Sequence, residues 1–200
     1  MYALSYGMFV LCARQGVKDN GCITNTGMQI TDQPNRMAFT VSKRNYTHDM
    51  VAETGVFTLS VLSEDADFDV YQRFGFQSGR TADKFAGFEQ YTARGDNGVL
   101  YLTRGANAWI AGKVYDAIDL GSHTLFLADV TGGDFLSKAP SATYAYYQAN
   151  VKPKPAAAPA GTKKRWVCKV CGYVYEGDAL PADFIFPWCK HPASDFELMA

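Results

Sequence analysis

The segment from Val151 to Gly161 reads VKPKPAAAPAG and rules out one continuous fold for the 200 residues. Proline and alanine without periodicity make a semi-extended linker, not a helix or a strand. Its eleven residues would span on the order of 30 Å if extended. The sequence therefore predicts a first domain over residues 1–150, a linker over 151–164 and a small domain over 165–200. At 48% hydrophobic and 20% charged residues, the larger part has material for a real core. A formal net charge of −1 with no long basic run argues against a nucleic-acid partner. The apolar start, Tyr2 to Ala13, has no basic residue ahead of it and is interrupted by Gly7. It is too short to span a bilayer and lacks the basic region of a signal peptide, so no membrane association and a cytoplasmic location are expected.

The first 150 residues read as many short strands with few helices. Gly7 to Arg14 is rich in β-formers, and Asn20-Gly21 before Cys22-Ile23 predicts a hairpin turn, since both central turn residues need positive φ. Met37 to Ser42 reads as a buried strand. A short helix is expected over Thr47 to Glu53, with Asn45 or Thr47 as N-cap and Gly55 as its stop. Val56 to Leu62 is another strand, and Ser63 is expected to cap a helix reaching about Phe74. After a glycine-punctuated loop to Phe88, strands are expected at Val99–Leu102, Ala108–Asp119 and Thr124–Val130. Without βαβ alternation, this pattern predicts a mainly β domain, a closed or split β-barrel.

Five cysteines are an odd number, and three of them lie in the tail. Metal ligation in a reducing compartment is the stronger reading, a disulfide scaffold the weaker. Cys168 and Cys171 form a C-x-x-C knuckle, and Gly172 allows the tight turn behind it. Trp166, Tyr173, Tyr175, Phe184 and Phe196 crowd a module too small to fold on its apolar surface alone, so a metal staple is physically reasonable. The second knuckle departs from the pattern: it reads Phe186-Pro187-Trp188-Cys189, with phenylalanine where a second cysteine would stand. Such sites do not by themselves tell iron from zinc, because both take tetrahedral thiolates.

Two polar clusters interrupt the apolar strands. Thr24-Asn25-Thr26 falls near a strand end, and Ser42-Lys43-Arg44-Asn45-Tyr46-Thr47 sits where a strand meets a helix N-terminus. The second offers amides, hydroxyls and two cations, which suits a phosphate. The plain alternative is turn and capping chemistry. No P-loop and no G-x-G-x-x-G is present, which argues against a Walker or Rossmann nucleotide site.

The order SYGMFV, NGCITNTGMQIT, SKRNYTH, GVFTLSVLSE, FGFQSGRTADKFAG and GSHTLFLADV resembles the flavin reductase family, the FMN-binding split barrels, over nearly all of residues 1–150. The tail resembles rubredoxin, the one-iron, four-thiolate carrier, in the abbreviated form of rubrerythrin-type proteins. The resemblance implies that Thr24, Asn25 and Thr26 line the flavin ring edge. It implies that Ser42, Lys43, Asn45 and Thr47 match the phosphate-side loop, with Arg80 and Lys84 bordering the pocket. His123, in the G-x-H-T turn, would lie on the catalytic side where nicotinamide stacks on flavin, although a lone hairpin histidine is more often a solvated turn residue. Cys168, Cys171 and Cys189 match three of the four iron ligands. Also implied are a homodimer with flavin at the interface and electron flow from NAD(P)H through FMN to the tail's iron, then to an acceptor such as a flavodiiron protein. The alternative is a flavoredoxin-like FMN carrier with a zinc-binding or metal-free tail.

Overall fold

A computed structural model describes residues 4–153, 164–169, 174–185 and 192–198. The chain divides into two compact units, Met1–Val151 and Lys152–Ala200. No helix among the described residues is long and apolar enough to cross a membrane.

The first unit is built on one antiparallel sheet in the order β2-β1-β5-β8-β9-β4-β3. These strands are β1 (Phe9–Gln15), β2 (Lys18–Thr24), β3 (Met28–Thr31), β4 (Arg36–Ser42), β5 (Val56–Leu62), β8 (Ala106–Asp119) and β9 (His123–Phe135). Because β2 and β3 end the order without pairing, the curled sheet stays open along one seam, the split of a split barrel. Helix α1 (Tyr46–Thr54) fills the interior, where Met50 and Val51 pack with Leu11, Phe39, Phe57, Leu59 and Phe126. Helix α2 (Phe68–Gly75) and the hairpin of β6 (Thr92–Arg94) and β7 (Leu100–Leu102) cover the other side of β1. Both faces of β1 are thus buried, Leu11 and Ala13 on one and Val10 and Cys12 on the other. That explains why its sequence is a continuous apolar run with no alternation.

Two local expectations are overturned. The hairpin turn is Gly16-Val17, joining Gln15 to Lys18, and Asn20-Gly21 lies inside β2. Gly16 takes the positive φ of +59°. Asn20 is instead buried and gives its amide to Thr47 Oγ1 at 3.0 Å. At Gly21 a Cβ would lie 3.1 Å from the Phe74 ring, so glycine is there for packing. Likewise Ser63 does not cap α2. It is buried, donates its amide to Gly105 and bridges Ser141, and the helix starts after Asp67.

Cys12 and Cys22 are buried on opposite faces of the β1–β2 ribbon, and burial pushes both thiols up from the ordinary 9.0. Acids held neutral by the fold stabilise it below their unfolded pKa and lose that contribution as pH rises above it. Stability should therefore fall as pH climbs above about 9, and Cys12→Ala/Cys22→Ala should flatten that slope. Lys84, pushed down by burial, works in the opposite sense below 10.5. Urea melts of both proteins between pH 8 and 10 check this; parallel slopes would refute it.

In the second unit β10 (Lys164–Cys168) pairs with β11 (Val174–Gly177) and β12 (Phe196–Leu198). Phe184 meets Tyr175 at 4.8 Å and Phe196 at 5.6 Å between ring centroids, giving this small sheet an aromatic core. Cys168 ends β10 and is buried.

Candidate functional site

Side chains of β4 point alternately to its two faces, although Ala38 is buried as well. Met37, Phe39 and Val41 enter the core, which turns Ala38, Thr40 and Ser42 to the outer face. Cross-strand neighbours share that face: Ser42 stands opposite His123, Thr40 opposite Leu125, and Ala38 opposite both Leu127 and Met28. The two sequence clusters meet here. Thr24 Oγ1 donates to the Thr40 carbonyl at 3.0 Å, and the Thr26 and Thr40 hydroxyls lie 2.7 Å apart. The Thr40 amide in turn donates to Thr26 Oγ1 at 3.1 Å. These bonds tie the end of β2 across the open seam and leave the Asn25 side chain half-buried, without a hydrogen bond among the described residues. The backbone amides of Asn25, Thr26 and Gly27 likewise make no loop hydrogen bond among the described residues. Three successive unpaired donors beside a hydroxyl network suit the carbonyl oxygens and ring nitrogens of a flavin edge.

Farther along β4 the chain turns into α1. The Asn45 amide donates to the Ser42 carbonyl at 2.9 Å, and Asn45 is the N-cap, although its side chain makes no capping bond. Lys43 is tied to the β8–β9 turn through its amide to Ser122 and its ammonium to Asp119 at 2.6 Å. Lysine near by and the amide of Gly121 hold the Asp119 carboxyl below its usual range. His123 is exposed next to Ser42, its Nδ1 2.9 Å from Ser122 Oγ. Arg80, far away in sequence, reaches the start of α1: it donates to Asp49 and lies 5.1 Å from the centre of the Tyr46 ring. It also lines a cleft of about 680 Å³ shared with Lys18, Asp83 and Arg94, which includes no other predicted cofactor residue.

Not every sequence-predicted residue meets there. Thr47 is wholly buried and accepts from Asn20, so its hydroxyl supports the helix start from inside. Lys84, expected beside the pocket, is in the core: Nζ donates to the Gly21 carbonyl at 2.8 Å and to the Phe74 carbonyl at 3.1 Å. Phe74 lies in the last turn of α2, whose carbonyls have no helical partner, so the ammonium caps that helix. Sequence reasoning passed over His48, whose Nδ1 lies 3.0 Å from Asp49 and whose Nε2 lies 2.8 Å from Thr124 Oγ1. In the tail, Cys168 is described, whereas Cys171 and Cys189, with Phe186 and His191, lie outside the described residues. By donor chemistry, the three cysteines of this module do not fit the four-thiolate set of a rubredoxin iron.

Residues 1–155 match the flavin reductase like domain, and residues 166–197 match the rubredoxin-like domain of rubrerythrin. The chain is 31% identical to the high molecular weight rubredoxin of Moorella thermoacetica, over 98% of this chain and 97% of that protein. It is 36% identical to a ferric-chelate reductase (NAD(P)H) of Archaeoglobus fulgidus, over 76% of this chain and 89% of that one. An FMN-binding protein from Thermus thermophilus shares the fold at a TM-score of 0.60 and 22% identity, over 68% of this chain and 73% of that one. With most of its length matched in this way, the chain belongs to the flavin reductase-like family of oxidoreductases and carries a rubredoxin-like domain behind the barrel.

Proposed function

We propose that the outer face of β4 and the loops at its two ends hold FMN, and that the chain uses it to oxidise NAD(P)H in flavin-linked electron transfer. The observation that carries this is the set of donors on and beside one face, the amides of residues 25–27, the Thr24–Thr26–Thr40 hydroxyls and Ser42, with Arg80 standing separately beside the start of α1. Bound FMN would supply the exchange between an electron pair taken as hydride and single electrons given to an acceptor.

Asn25 and the neighbouring amides would donate to the ring's carbonyl oxygens and nitrogens. Donors so aimed favour the negative charge of the reduced ring. Ser42, Lys43, Asn45 and Arg80 would hold the phosphate, with Thr47 bracing the helix start. The Lys43–Asp119 pair is largely solvated, and solvent screening keeps exposed pairs weak, so exchanging Asp119 for a phosphate costs little. His123 would stand at the nicotinamide side. Met28, Ile30, Ile118 and Leu120 are all exposed around this face, which supports a homodimer in which a second copy covers them.

An acceptor such as a flavodiiron protein would take the electrons, a reading supported by the rubredoxin-like domain that follows the flavin reductase like domain. No step is routed through iron, since only three thiolates are present in the tail. That same shortage favours a second reading, a flavoredoxin-like FMN carrier with a zinc-binding or metal-free tail.

Anaerobic addition of NADH, and separately NADPH, to the flavin-loaded protein tests the proposal: flavin absorbance should bleach with at least one. A yellow protein that neither donor bleaches would be a carrier, and a protein that takes up no FMN would remove the site. Residues 1–151 contain both apolar clusters of the barrel. That fragment should therefore fold, retain FMN and bleach like the full chain. Loss of FMN from the fragment would count against the division.

A further inference from the structure

We infer that His48 and Asp49 are positioning residues for Arg80, aiming its guanidinium at the phosphate end of the flavin; the inference rests on the FMN site proposed above. Arg80 is half-exposed, on a stretch between α2 and β6 with little regular structure of its own. An arginine on such a segment loses side-chain entropy when it clamps an anion, unless it is already held in place. Here it is held. One Asp49 oxygen accepts from the guanidinium, and the Tyr46 ring lies 5.1 Å from it.

Asp49 is fixed in turn. Its other oxygen faces His48 Nδ1 at 3.0 Å, and His48 is only 13% exposed. The His48 bond and then the Arg80 bond keep the Asp49 carboxyl below its usual range, so the carboxylate is the accepting partner of both. With the ring's proton on Nδ1, Nε2 is left to accept from the Thr124 hydroxyl at 2.8 Å. Thr124 is buried, pairs with Val41 and adjoins His123, which stands opposite Ser42. The chain Thr124–His48–Asp49–Arg80 therefore runs from the strand pair bearing Ser42 and His123 to the Arg80 guanidinium beside the start of α1. Both banks of the 43–45 loop become parts of one held unit. Asp49 engages a single terminal nitrogen of the guanidinium, which leaves other N–H groups for a phosphate. A lone surface ion pair would do little. The enclosed histidine and its second bond make this one directional.

The test compares FMN with riboflavin, which lacks the phosphate, using dissociation constants from flavin fluorescence in full-length wild type, Asp49→Ala, Arg80→Ala and the double variant. Asp49→Ala should weaken FMN binding several-fold and Arg80→Ala about tenfold, as expected for a charge-assisted bond. The double variant should be no weaker than Arg80→Ala alone, and riboflavin affinity should stay within about twofold throughout. His48→Ala should follow Asp49→Ala. Equal weakening of riboflavin and FMN would make the role merely structural and overturn the inference. So would multiplying effects in the double variant, or an Asp49→Ala variant that binds FMN as tightly as wild type or tighter. Failure of wild type to bind FMN at all would remove the site itself, and the positioning role with it.

Discussion

Replacing Phe186 with cysteine is expected to turn a tail that holds well under one iron per chain into one that holds a full, red, reducible centre. Rubredoxin-type iron takes four thiolates, and the module from Trp166 to Glu197 contains three cysteines: Cys168, Cys171 and Cys189. Phe186 precedes Cys189 by the same interval that separates Cys168 from Cys171, so only the residue type departs from the pattern. A phenyl ring donates nothing to a metal. Because structural metal binding in a module this small is largely folding free energy, the missing thiolate should cost metal occupancy. Iron per chain, with thiolate-to-iron absorbance, measures the result. Stoichiometric iron with a four-thiolate spectrum in the unaltered protein would mean that the second knuckle is wrongly assigned. A Phe186→Cys variant that still binds no iron would mean that the module has lost the site for another reason.

Lys84→Ala should destabilise the barrel by about 3 kcal/mol while leaving FMN affinity unchanged. The wild-type ammonium is buried and bonds the Gly21 and Phe74 carbonyls, clamping the loop after α2 onto β2. Alanine leaves a cavity, an uncapped carbonyl at the end of α2 and a loop with one tether fewer. A loss of that size lowers Tm by roughly 10 °C in a domain of this length. Calorimetry, with an FMN titration well below the melt, separates the two effects. A variant of unchanged Tm that has lost FMN would return Lys84 to the pocket.

Both predictions bear on what sequence alone determines. The composition break after Val151 was legible because it is local. So was β5, found where Val56–Leu62 had been read, and so was α1 between Asn45 and Gly55. Met37 to Ser42 was legible as a strand too, and it lies within β4. The two polar clusters could likewise be named before any strand was paired.

Only the tertiary structure decided which members of those clusters face outward. Thr47 and Asn20 are buried against each other 27 positions apart, and His48 meets Thr124 across 76. Lys84 and Arg80 are four residues apart in one loop, yet one caps a helix in the core and the other reaches the start of α1. Asn20-Gly21 reads as a turn from its own residues, but Thr47 and the Phe74 ring made it a strand, and the turn fell to Gly16. Short-range propensity is worth a few tenths of a kcal/mol to about one per residue, and burial of a satisfied polar group or a ring outweighs it. The sequence states which residues can do the chemistry. Which of them do is fixed by contacts between residues that are distant along the chain.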